Sequence, residues 1–534
     1  MCAAIVRQDV KQQNKTIMNK KNCLALMGAL VLTAGFTACS SDDDNNGGSN
    51  AGSLLTSSSQ ILFSSTDSTQ NANGTQIGSG VAEFTFTGKQ TLKKGVYTLR
   101  GFVYIADGAE LTIEPGTIIK GGSKATIIAE PGGKLIAQGT SSNPIVFTSE
   151  KAAGQRKPGD WGGVILCGKA PNNNGVLGQQ IEGGPRTKHG GTDANDNSGV
   201  LSYVRIEFAG YPYEKDKEIN GLTLGSVGKG TKIDHVQVSY SNDDSFEWFG
   251  GTVNCDHLIA YKGWDDDFDT DNGFSGNVQF GLALRDSRIA DTSQSNGFES
   301  DNNASGTATA EPVTTCTFSN MTFIGPRADA NFVNNSNYIT GGDYNPNNGS
   351  ALGKFQSAMQ IRRASKLNCI NSIAMDWPIG LIIDGEKGNT VEEAKAGNIK
   401  LQNVWFANMG VVGTDANKEY SDILCTYVAG TDGKRAIQRD STQQSYSHSF
   451  FLSQKGNKYF DNKNDLMLTT GKGINVPFMP LQGSPLLNAI SDEAFGGNSN
   501  FSIVYYIGAF TSSDTWLDGW TEFDPQNANY NTTK

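Results

Sequence analysis

The chain repeats itself with a period of about 22 residues, and a period that short limits the folds open to it. Asp234-His-Val-Gln-Val-Ser-Tyr-Ser-Asn-Asp-Asp-Ser-Phe-Glu-Trp-Phe-Gly-Gly251 and Asp256-His-Leu-Ile-Ala-Tyr-Lys-Gly-Trp-Asp-Asp-Asp-Phe-Asp-Thr-Asp-Asn-Gly273 match place for place, with Asp256 standing for Asp234 and Phe268 for Phe246. In a third line, Ser295-Asn-Gly-Phe-Glu-Ser-Asp301, Phe298 takes the same place after a longer interval, so this turn carries an insertion. A unit this short buries its apolar face only by stacking on neighbours. It is shorter than the helical repeats, lacks a 3.6-residue apolar pattern, and turns on Gly, Asn and Asp. The expected fold is all-β: a single right-handed parallel β-helix with long loops.

In such a coil, equivalent residues of successive turns stack about 4.8 Å apart, and side chains alternate between inside and outside. If Phe246, Phe268 and Phe298 point inward, Glu247, Asp269 and Glu299 form an outward column, flanked by Asp267, Asp271 and Asp301. Between Ser241 and Gly276 the only Lys or Arg is Lys262. Stacked like charges raise carboxyl pKa values or require a cation. Ca²⁺, which takes six to eight oxygens in flexible geometry, is the expected ion; a solvated acidic surface is the alternative. Trp248 and Trp264, with Phe249, Tyr240 and Tyr261, lie beside this column as candidate sugar-stacking rings, with core packing as their alternative role.

Composition agrees with an extracellular all-β protein: 64 Gly and 18% charged residues in 534. A net charge of −11 argues against nucleic acid as a partner, since that needs clustered Lys and Arg. The eight cysteines show neither a disulfide framework nor metal spacing, and Cys255 and Cys369 fall at apolar positions. Only four histidines are present. His235 and His257 share a recurrent corner with Asn320, Asn371 and Asn403, which is read as a structural ladder.

At the amino terminus Lys20 and Lys21 precede an apolar run from Leu24 to Phe36, then Thr37-Ala38-Cys39. This has the form of a signal peptide over 1–38, with Met18 as the natural start, and is short for a membrane span. A flexible polar tether follows over 39–90, then the β-helix over 91–500 and a cap over 501–534. The Phe-Thr-Ala-Cys ending resembles a bacterial lipobox, which implies lipid on Cys39. Ser40-Ser-Asp-Asp-Asp44 resembles the acidic export signal of Bacteroidetes surface lipoproteins, which implies anchoring in the outer membrane with exposure at the cell surface.

Short β-branched runs, among them Phe102-Val-Tyr-Ile105, Ala125-Thr-Ile-Ile128 and Pro144-Ile-Val-Phe147, are punctuated by Pro115-Gly116 and Pro131-Gly-Gly133. Glu110-Leu-Thr-Ile-Glu-Pro-Gly-Thr-Ile-Ile-Lys-Gly121, Gly159-Asp-Trp-Gly-Gly163 and Tyr506-Ile-Gly-Ala-Phe510 resemble Bacteroidetes surface β-helix lipoproteins of the pectin-lyase-like superfamily, over roughly 95–526. The resemblance implies the fold but no particular chemistry; the lipobox, the acidic export stretch and the aromatic residues beside the acidic column point to a glycan or other nutrient as ligand, with a TonB-dependent transporter as a partner. Long polar loops at 170–200 and 326–352 are further candidate binding surfaces. Beyond the second, Met359-Gln-Ile-Arg-Arg363 continues the Phe stack and sets Arg362 beside Glu299 and Asp301. Arg362 is read either as a salt bridge capping the ladder or as a ligand-facing base, by resemblance to Ca²⁺-assisted polysaccharide lyases. Three functions stay open: glycan binding at the surface, a lyase or glycoside hydrolase, and an adhesin or structural rod.

Overall fold

A computed structural model describes residues 75–533, except 79, 81–82, 176–177, 215–216, 345–350, 416–423 and 430–434. The expected signal peptide, the expected lipidation site Cys39 and the expected tether as far as residue 74 lie outside the described residues. The fold is a parallel β-helix. Each coil supplies short strands to a 17-stranded sheet and one strand to an 11-stranded sheet. The predicted offset is the pairing register: Ile233 pairs with Cys255 and Asp234 with Asp256 in the larger sheet. In the smaller sheet Phe246, Phe268, Phe298, Met359 and Leu381 pair in turn.

The corner ladder is a column of left-handed residues. Tyr203, His235, His257, Phe280, Asn320, Asn371 and Asn403 all have φ between 51° and 61°. Asn tolerates this conformation better than most residues. Where the column is aromatic it is held by stacking instead. Tyr203 lies 4.3 Å from His235, His235 lies 4.4 Å from His257, and His257 lies 4.8 Å from Phe280. Further along, the Asn403 amide donates to Asn371 Oδ1 at 3.0 Å. Tyr203 and Phe280 extend a column that the Asn and His pattern alone did not include.

Inward residues of both sheets form one apolar core running along the coils, with Phe246, Trp248, Phe268, Phe298, Phe318 and Met359 at its centre. Gly121 is needed beside it, because a Cβ there would meet the Trp161 ring at 2.6 Å.

Two expected boundaries change. Parallel pairing runs from Thr75–Ile77 to Lys458–Phe460, so residues 461–500 lie beyond the paired coils. The aromatic carboxy-terminal stretch does not close the end of the solenoid; it runs back along the outside of the larger sheet. Gln279 donates to Ser502 O, Asn320 to Tyr506 O, Gln237 to Glu522 O and Lys120 to Asn531 Oδ1. The reason is apolar: Tyr240, Ile259, Tyr261 and Leu282 face outward there and are buried beneath Ile507, Phe510, Leu517 and Trp520. The coil end is instead covered by the helix Tyr446–Ser453. Its Phe451 stacks on Phe406 at 4.0 Å. Asp415 accepts the backbone N–H groups of Tyr446 and Ser447 at the helix N-terminus, where an anion is favoured.

Candidate cation-binding face

On the smaller sheet the outward column reads Thr223, Glu247, Asp269, Glu299, Gln360. The structure therefore brings together three of the predicted carboxylates as expected, and Asp271 registers with Phe249 one column over. A second acidic row was missed as a site. Asp243-Asp244 and Asp265-Asp266 sit at the corner just before these strands, one period apart like the strands themselves. Their turn-forming chemistry masked a repeat that the period already contained. At this corner Asp244 and Asp266 each tie one coil to the next. Asp244 Oδ1 accepts the Asp266 N–H at 2.8 Å, Asp266 Oδ1 accepts the Asn296 N–H, and Asn296 Oδ1 accepts the Ser357 N–H at 3.1 Å.

The ladder occupies one oxygen each of Asp244 and Asp266, and beside it carboxylate oxygens converge. Asp243, Asp244 and Asp265 bring oxygens within 4.8 Å of one another, and so do Asp244, Glu247 and Asp269. Oxygens sharing a Ca²⁺ shell at 2.3–2.6 Å are separated by no more than about 5 Å. Asp265 Oδ1 and Asp269 Oδ1 are sealed from solvent and have no hydrogen-bond partner. The donor set is all oxygen, as a hard divalent cation requires, so these residues fit such an ion.

The electrostatics are severe. Asp243, Asp244, Glu247, Asp265, Asp266 and Asp269 are each held well above the usual carboxylate range. Burial is the largest cause for each of them, and repulsion from neighbouring acids adds to it. Asp271 is pushed up to about 7 by burial and by Asp301. Among the described residues, none of these seven carboxylates forms an ion pair; the cations nearby are already committed to other acids. Glu182 and Glu218, from the loops on one side, add to the repulsion on Asp243.

At the far end the charge is neutralised. Arg362 pairs with Glu299 and, at 2.8 Å, with Asp301, which also accepts Arg363 at 2.6 Å. Arg362 is thus a counter-ion that closes the acidic column, and Glu299 and Asp301 are occupied by it. Asp267 is a correction. It points into the interior and pairs with Arg285 at 2.8 Å, both side chains fully buried. It belongs to the corner that precedes the strand, where in–out alternation no longer applies. Burial pushes its carboxyl up to about 6 against the pull of Arg285. Trp248 and Trp264 are also corrected, since both are fully buried and neither presents a face to a ligand. Trp248 packs on Phe274 at 5.3 Å within the inward stack.

The group His235, Asp256 and His257 also lies within 4.8 Å. Its imidazoles stack face to face at 7° between planes, so their lone pairs run parallel instead of converging on one ion. Cys167, Cys255, Cys316 and Cys369 are buried and free, and burial raises every thiol pKa.

Residues 84–447 match the family described as the pectate-lyase like beta helix domain. The chain belongs to that family. No curated protein matches it. Among solved structures it is similar to the Dettilon tailspike protein, at 12% identity and a TM-score of 0.23, over 72% of this chain and 62% of that one. The pectate-lyase-like domain thus takes in the acidic column, Arg362 and the start of the helix over the coil end.

Proposed function

We propose that this β-helix is the ligand-binding body of a lipid-anchored surface protein, attached through Cys39 to the outer membrane, and that its acidic face binds Ca²⁺ to hold a uronate-bearing glycan. The observation that carries the reading is the set of buried and half-buried carboxylates without counter-ions where the register column meets the corner acids. Seven negative charges at these spacings cannot all persist in a half-buried site. A divalent cation held by Asp244, Glu247 and Asp269, whose oxygens lie within 4.8 Å of one another, would offset two of these charges and could also take carboxylate or hydroxyl oxygens of a ligand. With Trp248 and Trp264 buried, recognition rests on the ion and on the loops around it, not on ring stacking. A Bacteroidetes source and passage of the ligand to a TonB-dependent transporter extend the same proposal.

Hydrolysis is the second reading. It is favoured by carboxyls whose pKa burial raises, beside others on the adjacent coil, since glycoside hydrolysis pairs a raised-pKa acid with a second carboxylate. A lyase step using Arg362 as base is disfavoured, because Glu299 and Asp301 hold its guanidinium.

Affinity electrophoresis against polygalacturonate and a neutral glucan tests the proposal. Retardation by the uronate polymer should require Ca²⁺ and disappear with chelator or Asp269→Asn. Release of reducing ends would favour the hydrolase. Mobility indifferent to Ca²⁺, without product, would remove both readings and leave a rod.

A further inference from the structure

We propose a second binding site, for a small oxyanion, in the recess between the first coils and the carboxy-terminal segment. The cavity has a volume of about 840 Å³. Arg100, Lys120, Lys151 and Arg156 line it with a single carboxylate, Glu150, in a chain whose net charge is −11. Neither the acidic face nor the glycan reading requires it.

The register builds the recess. Leu99 pairs with Gly121, and Gly121 with Ser149, so Arg100, Gly122 and Glu150 follow on three adjacent coils. Gly122 leaves its place empty, and Arg100 crosses it to pair with Glu150 at 2.5 Å. That pair consumes the pocket's one negative charge. Lys120 is 8% exposed, and its partner is the neutral amide oxygen of Asn531 at 2.8 Å. Arg156 is 2% exposed. It donates to the backbone carbonyls of Lys151 at 3.2 Å and Ala528 at 3.0 Å, and also to Pro525 O. Its guanidinium lies over the Tyr530 ring at 4.6 Å. Hydrogen bonds and a ring hold these groups, while Glu207 and Asp160 act on Arg156, and Glu150 on Lys120, only from beyond ion-pair distance. Among the described residues, neither Lys120 nor Arg156 forms an ion pair.

Two buried cations side by side are costly without an anion between or beside them. Burial holds the Lys120 ammonium below the ordinary lysine range, and the nearby Arg156 charge adds to this. Lys151 sits exposed at the mouth, where it attracts an incoming anion. Asn527, Asn529 and Asn531 line the wall from the carboxy-terminal side. Point-charge lysines with neighbouring amides suit a carboxylate, sulfate or phosphate group. The group is supplied either as a free ion or on an acidic sugar.

The test is titration calorimetry of the full chain with sulfate, inorganic phosphate, glucuronate and glucose. The anions should bind, glucose should not, and affinity should fall with added chloride. Glucuronate binding at least as well as sulfate identifies an acidic sugar as the source; sulfate or phosphate alone identifies the free ion. Lys151→Glu, at an exposed position, should weaken binding about tenfold, ~1.4 kcal/mol, with an unchanged melting temperature. Lys120→Met should abolish it. Asp269→Asn should leave it intact, which separates this site from the acidic face. Binding of glucose as tight as glucuronate, no binding by any anion, or an unaltered affinity in Lys151→Glu would overturn the proposal.

Discussion

Replacing Asp269 by Asn should change stability in opposite directions with and without Ca²⁺. Asp269 stands between Glu247 and Glu299 on adjacent coils. At a coil spacing of about 4.8 Å and an effective dielectric of about 20, one ionised pair repels by about 3 kcal/mol. Arg362 offsets Glu299, which leaves Glu247 on the next coil and Asp266 at the corner as neighbours without a counter-ion. The amide removes the charge while keeping the shape. Without divalent ions at pH 8 the variant should therefore be more stable than the parent, by about 1–3 kcal/mol. With free Ca²⁺ at about one hundred times its Kd, the parent should gain about 2.7 kcal/mol. For roughly 360 residues of solenoid, at about 2.1 cal/mol/K per residue, that is a rise of about 3–4 °C in Tm. The variant, lacking one ligand, should gain little, so the order of the two melting curves reverses. The pH dependence follows from the raised carboxyl pKa values. The folded state holds more protons than the unfolded one, so stability of the cation-free protein falls as pH rises. The fall begins near the unfolded aspartate value of about 4 and runs through the Asp271 value of about 7. Calcium stabilisation should accordingly be largest above pH 7 and vanish near pH 4. Differential scanning fluorimetry in chelated and calcium-loaded buffers measures all of this. If Ca²⁺ leaves the parent unchanged at pH 8, or Asn destabilises equally in both buffers, the cation argument fails.

Three further outcomes are expected. Trp248→Ala and Trp264→Ala should each cost about 3–5 kcal/mol in chemical denaturation whether or not calcium or glycan is present, because both rings are core. Arg362→Met should cost about 3–5 kcal/mol by stranding Glu299, while Asp301 keeps Arg363; added Ca²⁺ should recover part of this in the same melts, which a purely catalytic arginine would not show. A chain ending at residue 500 should bind a hydrophobic dye and aggregate on concentration, since it uncovers Tyr240, Ile259, Tyr261 and Leu282.

What the sequence made legible is what the period controls. A coil that closes once per repeat must stack equivalent positions, so Phe246 over Phe268 and Glu247 over Asp269 followed from the offset alone. The same rule, carried one step further, already placed Trp248 inside, two residues beyond Phe246 on the same strand. Reading it as a sugar platform set residue type above register. Asp267 failed for the opposite reason, since alternation stops at the corner, and its partner Arg285 comes from the end of a strand of the other sheet. The carboxy-terminal segment has no period at all, so the repeat could only say that it is not a coil. Its place was decided by the outward apolar side chains of the larger sheet, a complementarity between stretches far apart in the chain.

Exposure is the property a period does not supply, and it governs whether the acidic column does anything. On an open sheet, stacked carboxylates are hydrated, screened and individually weak. Here corner acids crowd the column from one edge, and the loops that carry Glu182 and Glu218 add further negative charge. Burial is the largest cause of each raised pKa, and like-charge repulsion comes second. The repeat supplies the charges; the corners and insertions withdraw the water. A solenoid with the same Glu247, Asp269 and Glu299 but with Glu182 and Glu218 neutralised would keep its register and lose part of the repulsion on Asp243 and Glu247. Calcium response of a Glu182→Gln, Glu218→Gln chain, compared at equal pH with the parent, measures how much of the site belongs to the loops.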